Sequence, residues 1–337
     1  MLLTIDIGGT HTRLATCNYE VGAAIPKNIK IYNSTAYQGV EEIIKDYADS
    51  MQISAKYAVI GVPGPVVNGS AKATNLPWII DEQKLKAALM LSEVKLINDV
   101  EALGYSIEVL DEDDHEIINT GRHHAGSPIA LIAPGTGLGE SFLIHHENSY
   151  KVYASEGGHS DFAPTNTLEI KLLDYLLNRS DHVSYERVCS GKGLYNIYKF
   201  LRDEHICIEP DRLKDLLIKT GDPAKLISQN ALSGKTAQPI TVKTIDTFVE
   251  ILGAEAGNMA MRYNAKNGVY IGGGIVPKIR PLIKKDLFMK SFKRKGRLSG
   301  YVSDIPVKVI RKPEANLYGL ANFALKAMKV RPIGYQC

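Results

Sequence analysis

Three short segments of the chain combine residue types suited to chemistry on phosphates and hydroxyls. In Asp6-Ile7-Gly8-Gly9-Thr10 an acid precedes two glycines and a threonine. Glycines at a strand turn let backbone N–H groups approach an anion closely, and the threonine adds a hydroxyl donor. Asp6, at the strand end, could hold a metal through water. Gly135-Thr136-Gly137-Leu138-Gly139 has the same character. One glycine-rich hairpin is weak evidence, since tight turns use glycine anyway. Two in matching positions point to phosphate binding. Neither is a P-loop, because GxxxxGK[ST] is absent. Gly272, Gly273 and Gly274 lack the GxGxxG dinucleotide spacing. They read instead as the opening of a helix, where N–H groups and the helix dipole could meet a nucleotide.

The third segment is Leu96-Ile97-Asn98-Asp99, an apolar strand ending in an amide and an acid. In open α/β sheets ligands bind at the carboxyl ends of strands. A carboxylate there can accept a proton from an attacking hydroxyl. Asp99 is equally suited to capping the helix that follows. Further on, Glu156, His159 and Asp161 fall within six positions. The two glycines between Glu156 and His159 allow a sharp turn that aims both side chains into one space. A lone histidine with no second ligand cluster is a poor metal site. Carboxylate and imidazole together suit a polyol, since they accept and donate hydrogen bonds to neighbouring hydroxyls. The same residues would also serve as an ordinary polar turn with Asp161 as a cap. Glu186, just before a Ser-Gly helix start, means little alone.

The elements that must hold these residues alternate. The opening reads as strand, turn, strand, with Leu3, Ile5 and Ile7 on one face, and a third short strand near Ile29 to Tyr32. Residues 40–51 have helical spacing, with Val40, Ile43, Ile44 and Tyr47 on one side. A buried strand runs through KYAVIGV, DEQKLKAAL is a helix, and VKLIND and VEALGYSIEVL follow as strand and helix. Residues 115–128 are polar and His-rich and read as the connection between domains. At 127–144 the opening pattern returns, again strand, Gly/Thr turn, strand, which reads as a duplicated domain plan. The second half is more helical, over 167–178, 191–204, 210–218, 222–232 and about 241–264. A last helix, about 314–329, is expected to pack back on the first domain. This alternation predicts an α/β fold.

Composition narrows the function classes. A chain of 337 residues suggests about two domains. Its 45% hydrophobic and 23% charged residues are ordinary for a globular protein. The net charge of +3 gives no reason to expect nucleic acid as a partner. The stretch 284–297 is basic, but it reads as a helix burying Leu287, Phe288 and Phe292 with its lysines in water. Cys17, Cys189, Cys207 and Cys337 form no CxxC pair, so neither a zinc knuckle nor a redox dithiol is expected. Scattered cysteines fit a reducing cytosol, and no apolar run has the length of a membrane span. No signal peptide is expected before Asp6, and the C-terminal Gly-Tyr-Gln-Cys is neither a peroxisomal address nor a convincing prenylation box.

Taken together and in order, DIGGTHTRL, TNLPW, LIND, GTGLG, EGGHSDFAP, ERVCSGKGL and GGGIVPK resemble the bacterial-type glucokinase family, within the sugar kinase, Hsp70 and actin superfold. DIGGT alone marks only the superfold; LIND with EGGH and ERVxSGxGL is specific as a set. The resemblance implies a two-domain actin-like ATPase (ribonuclease H-like) fold with a central cleft. Residues 1–115 plus 312–337 would form a small α/β domain and 116–311 a large one. It implies ATP-dependent phosphorylation of the glucose 6-hydroxyl, feeding glycolysis in the cytoplasm. Asp99 would be the general base, and Asn98, Glu156, His159 and Glu186 would bind sugar hydroxyls. Gly8, Gly9, Thr10, Gly135, Thr136 and Gly137 would hold phosphates, with Mg2+ near Asp6 and Gly272 to Gly274 by the adenosine. Glucose and ATP are the partners implied; a homodimer is allowed, and neither nucleic acid nor membrane is expected. His11 stands where the family usually has Asn, and the GVPGPV loop at 61–66 is closer to ROK-type sugar kinases. The Cys cluster of ROK kinases is absent, which favours the glucokinase branch. The alternative is a ROK-like kinase for mannose, glucosamine or an N-acetyl sugar. A ROK-type transcription regulator would need a DNA-binding segment ahead of the first strand, and an Hsp70-like ATPase would need a substrate-binding extension.

Overall fold

A computed structural model describes residues 1–20, 23–283 and 285–328. The chain divides into two compact units. The first comprises Met1–Asp114, Tyr150–Ala154 and the segment from Lys312 on; the second comprises His115–Ser149 and Ser155–Arg311.

The first unit is built on strands β1 (Leu2–Ile7), β2 (His11–Glu20), β3 (Ala23–Asn33), β4 (Tyr57–Val62), a small hairpin of β5 (Ser70–Lys72) and β6 (Ile79–Asp81), and β7 (Glu93–Asn98). The main sheet runs β3-β2-β1-β4-β7. β1 and β2 are antiparallel, whereas β1, β4 and β7 are parallel. All six residues of β1 are buried, not only the expected face of Leu3, Ile5 and Ile7. Those three pack with Val40, Ile43, Ile44 and Tyr47 of the helix Val40–Met51. The opposite face meets the last helix, Ala315–Ala327, whose Asn316 reaches Asp6. That helix also lies along Asp99–Ser106, where Asn322 Nδ2 donates to Tyr105 O at 2.8 Å. Strand β3 is much longer than the sequence pattern suggests, because its outer face is solvated and its apolar signal is diluted.

The second unit repeats this plan with β8 (His115–Asn119), β9 (Ile129–Pro134), β10 (Leu138–His146), β12 (Gly268–Ile271) and β13 (Val307–Ile310), and β11 (Ser149–Ser155) adds an edge to its sheet. Its sheet runs β11-β10-β9-β12-β13-β8. β9 pairs antiparallel with β10 and parallel with β12, which is parallel to β13. Residues 115–119, expected to be part of a linker, instead pair with β13 as an antiparallel edge strand. An edge strand needs little apolar signal, so the polar composition misled. Tyr150–Ala154, left in the second domain by the sequence reading, groups with the first unit. There Tyr150 N donates to Glu108 Oε1 at 3.0 Å.

The helices fall close to their sequence positions: Thr167–Leu177, Gly191–Asp203, Asp211–Lys219, Pro223–Ala231 and Pro239–Arg262. The basic stretch forms the helix Lys285–Lys293, with Phe288, Met289 and Phe292 buried; Lys284 is outside the described residues. Cys17 and Cys189 are buried and Cys207 is part-buried; Cys337, like the other residues beyond Met328, lies outside the described residues. Among the described residues no helix is long and apolar enough to cross a membrane.

Candidate active site

In the first unit the parallel register gathers the candidates. Asp6 of β1 stands beside Gly61 of β4, and Gly61 beside Ile97 of β7. Asp6, the Gly61–Val62 strand end and Asn98 therefore lie at neighbouring carboxyl ends of one sheet, where α/β folds place ligands. Asp6 is buried, and both its oxygens are engaged. Arg13 Nη1 donates to Oδ2 at 3.2 Å and Asn316 Nδ2 donates to Oδ1 at 2.9 Å. The Arg13 contact follows from the hairpin, which sets Asp6 opposite Arg13. That pairing could be read from the sequence once the turn is centred on Gly8–His11. Asn316 could not, because it arrives from more than 300 positions away.

The Gly8–Thr10 turn is tied down at both ends. Gly8 N donates to His11 O at 2.9 Å, Ser34 Oγ donates to Gly8 O at 2.8 Å, and Ser34 N donates to Thr10 O at 2.9 Å. Among the described residues no hydrogen bond takes the N–H of Gly9 or Thr10. Those donors suit an anion. Ser34 was invisible in sequence because it opens a short 3-10 helix, Ser34–Ala36, that carries no motif of its own.

Asn98, not Asp99, caps the helix Asp99–Ser106. Its Oδ1 accepts from Val100 N at 2.9 Å and Glu101 N at 3.3 Å, and its Nδ2 donates to Gly64 O at 3.1 Å. Asp99 is the first helical residue, part-buried, with Oδ1 accepting from Val100 N at 2.9 Å. Two positions on, Glu101 has its carboxyl pushed up by burial.

In the second unit the turn after β9 is held by the segment around Glu186. Leu138 N donates to Glu186 Oε2 at 3.0 Å, and Gly191 N donates to Gly135 O at 2.9 Å. Glu186 lies so near Gly137 that a Cβ there would collide with its carboxylate. Thr136 is exposed at the tip. Ser190 caps the helix Gly191–Asp203, accepting from Gly193 N at 3.0 Å and donating to Glu186 O at 2.6 Å. Glu186 is therefore built into the Gly135–Gly137 turn.

Gly272–Gly274 are strapped to the end of β9: Gly272 N donates to Ile132 O at 2.9 Å and Ile275 N to Pro134 O at 3.2 Å. Gly273 has φ of +80° and no room for a Cβ beside Pro134 O. Here the sequence reading needs correction. The glycines form a turn and do not open the helix, which starts at Val276 and lasts only to Ile279. A single turn has little macrodipole. What these glycines supply is close backbone approach.

Glu156 and His159 flank the short turn Gly157–His159. Both side chains are exposed, and neither makes a hydrogen bond or ion pair among the described residues. The following segment is stitched to the Glu186 segment: Tyr185 N donates to Ser160 O at 3.0 Å, and Asp161 Oδ1 lies 2.8 Å from His182 Nε2. Glu156, His159 and Glu186 thus share one neighbourhood, while Asp161 is occupied by His182.

The structure of a glucokinase from an Antarctic psychrotroph matches with a TM-score of 0.83 and 29% identity, covering 97% of this chain and 99% of that one. A ROK family glucokinase from Streptomyces griseus, solved in complex with glucose and AMPPNP, shares the fold with a TM-score of 0.65 at 21% identity, over 97% of this chain and 99% of that one. The fold is that of the sugar kinases, consistent with the actin-like ATPase architecture. The family model described as Glucokinase matches residues 3–327, and the Trichormus variabilis glucokinase is 39% identical over 95% of this chain and 98% of its own length. The chain belongs to the glucokinase family.

Proposed function

We propose that this protein transfers the γ-phosphoryl group of ATP to the 6-hydroxyl of glucose in the cytoplasm. The observation that carries the reading is Asp99 at the end of β7, beside a cap that Asn98 already provides. Asn98 supplies the cap, and Asp99 is the base of this proposal: it orients the sugar hydroxyl and takes its proton. Phosphoryl transfer otherwise needs positioning and charge neutralisation. The N–H groups of Gly9 and Thr10 supply donors in one unit, and the Gly135–Gly137 turn with Gly272–Gly274 supplies close backbone in the other. In this reading the unit on β1–β7 is the small domain and the unit on β8–β13 the large one.

Mg2+ fits the same picture. It commonly keeps several waters and binds one or two carboxylates plus substrate phosphates. Asp6 is one such carboxylate, and among the described residues no group of three or more His, Cys, Asp or Glu converges into a full metal cage. Bound near Asp6, Mg2+ would neutralise phosphate charge; Arg13 and Asn316 hold that carboxylate in place.

The exposed Glu156 and His159, with Glu186, are the sugar-hydroxyl ligands of this proposal. A coupled assay with ATP, Mg2+ and a panel of glucose, mannose, glucosamine and N-acetylated hexoses tests it. Glucose is expected to give the highest kcat/KM. A mannose, glucosamine or N-acetyl sugar preferred over glucose would overturn the substrate assignment.

A further inference from the structure

One buried acid of the second unit has no part in the reading above. Glu140 of β10 is 1% exposed, and among the described residues neither carboxyl oxygen has a hydrogen-bond partner. It lies directly beneath the Glu156–His159 turn: a Cβ added to Gly157 would collide with Glu140 Oε2. The next glycine rests on the same strand, since a Cβ on Gly158 would collide with Leu138 O. Ser155 Oγ ties the two layers, donating to Glu140 O and accepting from Gly157 N, each at 3.3 Å.

We infer that Glu140 is a positioning residue for the sugar: its buried side chain is the floor on which Gly157 rests, and so it sets where Glu156 and His159 point. The inference rests on the reading of Glu156 as a sugar ligand.

The charged groups around this floor come from three directions. The helix Pro239–Arg262 brings Glu255, fully buried and bound to Arg262 and Asn258 Nδ2. The 185–189 segment brings Tyr185, whose hydroxyl accepts from Asn258 Nδ2, and the buried Cys189. Lys295 reaches Asn258 Oδ1 and Ala254 O from beyond the helix Lys285–Lys293. Arg262 is already paired with Glu255, and Lys295 with the Asn258 amide. Among the described residues no cation pairs with Glu140. Burial first, and Glu255 second, push its carboxyl up to about 8, with Arg262 opposing.

The direction of the effect follows. Below about 8 the carboxyl is neutral and Gly157 can lie against it. As pH rises through that value a charge appears in a dry site facing Glu255. The charged form is disfavoured there unless the floor opens to water. Opening moves Gly157, and with it the flanking sugar ligands. The ATP side is made of other segments and should not follow. Glucose KM should therefore rise as pH approaches about 8 and level off above it, while the KM for ATP stays nearly constant.

The experiment is steady-state kinetics of the parent, E140Q and E156A from pH 6.5 to 9.5, with thermal unfolding at each pH. The glutamine keeps the shape and cannot ionise. In the parent, glucose KM is expected to rise by up to about tenfold per pH unit as pH approaches about 8 and to level off above it. E140Q should flatten that rise without altering the pH course of the ATP KM. A purely structural role would change unfolding and leave the shape of the KM profile intact. If E156A raises glucose KM while E140Q tracks the parent, the floor assignment is wrong and the sugar reading stands. If E156A leaves glucose KM unchanged, the sugar reading fails and the inference falls with it.

Discussion

The two units open with the same hairpin, and the two hairpins are armed differently. β1–β2 and β9–β10 both end a fully buried central strand in a glycine-rich turn, and both central strands take a parallel neighbour on the other side. The last paired residues are Ile7 with Thr12 in the first and Pro134 with Leu138 in the second. The first turn is thus one residue longer. Two positions before its first glycine the first hairpin has Asp6; the second has Ala133. The acid of the second turn, Glu186, comes instead from a separate segment and binds Leu138 N. The two hairpins share a backbone plan, which creates turn donors at strand ends. The charges were fitted to each half separately. A carboxylate on the strand itself is fixed by its register, whereas one delivered by a loop depends on the packing of that loop.

If the halves differ in this way, breaking each should produce a different signature. The largest effect is expected at the end of β7. Asp99→Asn keeps the size of the side chain and removes proton acceptance, so kcat should fall by about 100-fold or more. Glucose KM should change far less, and thermal unfolding little, because Asn98 still caps the helix. Near-normal turnover in the purified variant would return Asp99 to a structural part. Next comes Glu156→Ala in the second unit, which should act on KM. Each charge-assisted hydrogen bond lost is worth roughly 1.5–3 kcal/mol, or about 10- to 150-fold. Binding that is equal in ground and transition states sets KM more than kcat. A raised ATP KM with unchanged sugar discrimination would move the Glu156–His159 turn to the nucleotide side. Smaller again is Asp6→Asn, which should raise the Mg2+ concentration for half-maximal activity by about tenfold, from the loss of one carboxylate charge. An unaltered Mg2+ titration would place the metal elsewhere.

Much of this comparison was legible in the sequence, for identifiable reasons. The strand-turn-strand repeat showed because central strands buried on both faces carry dense apolar runs, and glycines punctuate them. The helix Val40–Met51 showed because one face is apolar and the other solvated. What did not show depends on tertiary contact. The edge strand His115–Asn119 is polar, and only its pairing with β13 makes it a strand. The strap of Gly272–Gly274 onto β9 exists only once two distant strands are parallel neighbours. Glu140 looked like any polar residue after a turn, and nothing local announced that Gly157 would lie on it. The family resemblance supplied candidate ligands residue by residue. It did not reveal that Asn98 is a cap, because capping depends on where the helix begins by one residue.

That single residue gives the finest test, with the smallest expected effect on stability. Asn98 uses Oδ1 for the cap and one Nδ2 hydrogen for Gly64 O, which leaves one amide hydrogen unassigned among the described residues. Asn98→Ala should lose the cap and lower stability by about 1 kcal/mol, within the usual 0.5–2 kcal/mol range. Asn98→Asp separates the two uses of the side chain. Aspartate caps as well as asparagine, so the helix Asp99–Ser106 should recover its stability. It has no N–H to offer a sugar hydroxyl, and it places a second carboxylate beside Asp99. If Asn98 binds substrate, Asn98→Asp should unfold like the parent and still show a raised glucose KM. Recovery of both stability and glucose KM in Asn98→Asp would reduce Asn98 to a cap. The second unit offers the matching control. Ser190 caps its helix in the same manner through Gly193 N, and its hydroxyl is already spent on Glu186 O. Ser190→Ala should therefore lower stability by a similar amount, with activity changing only as far as Glu186 shifts.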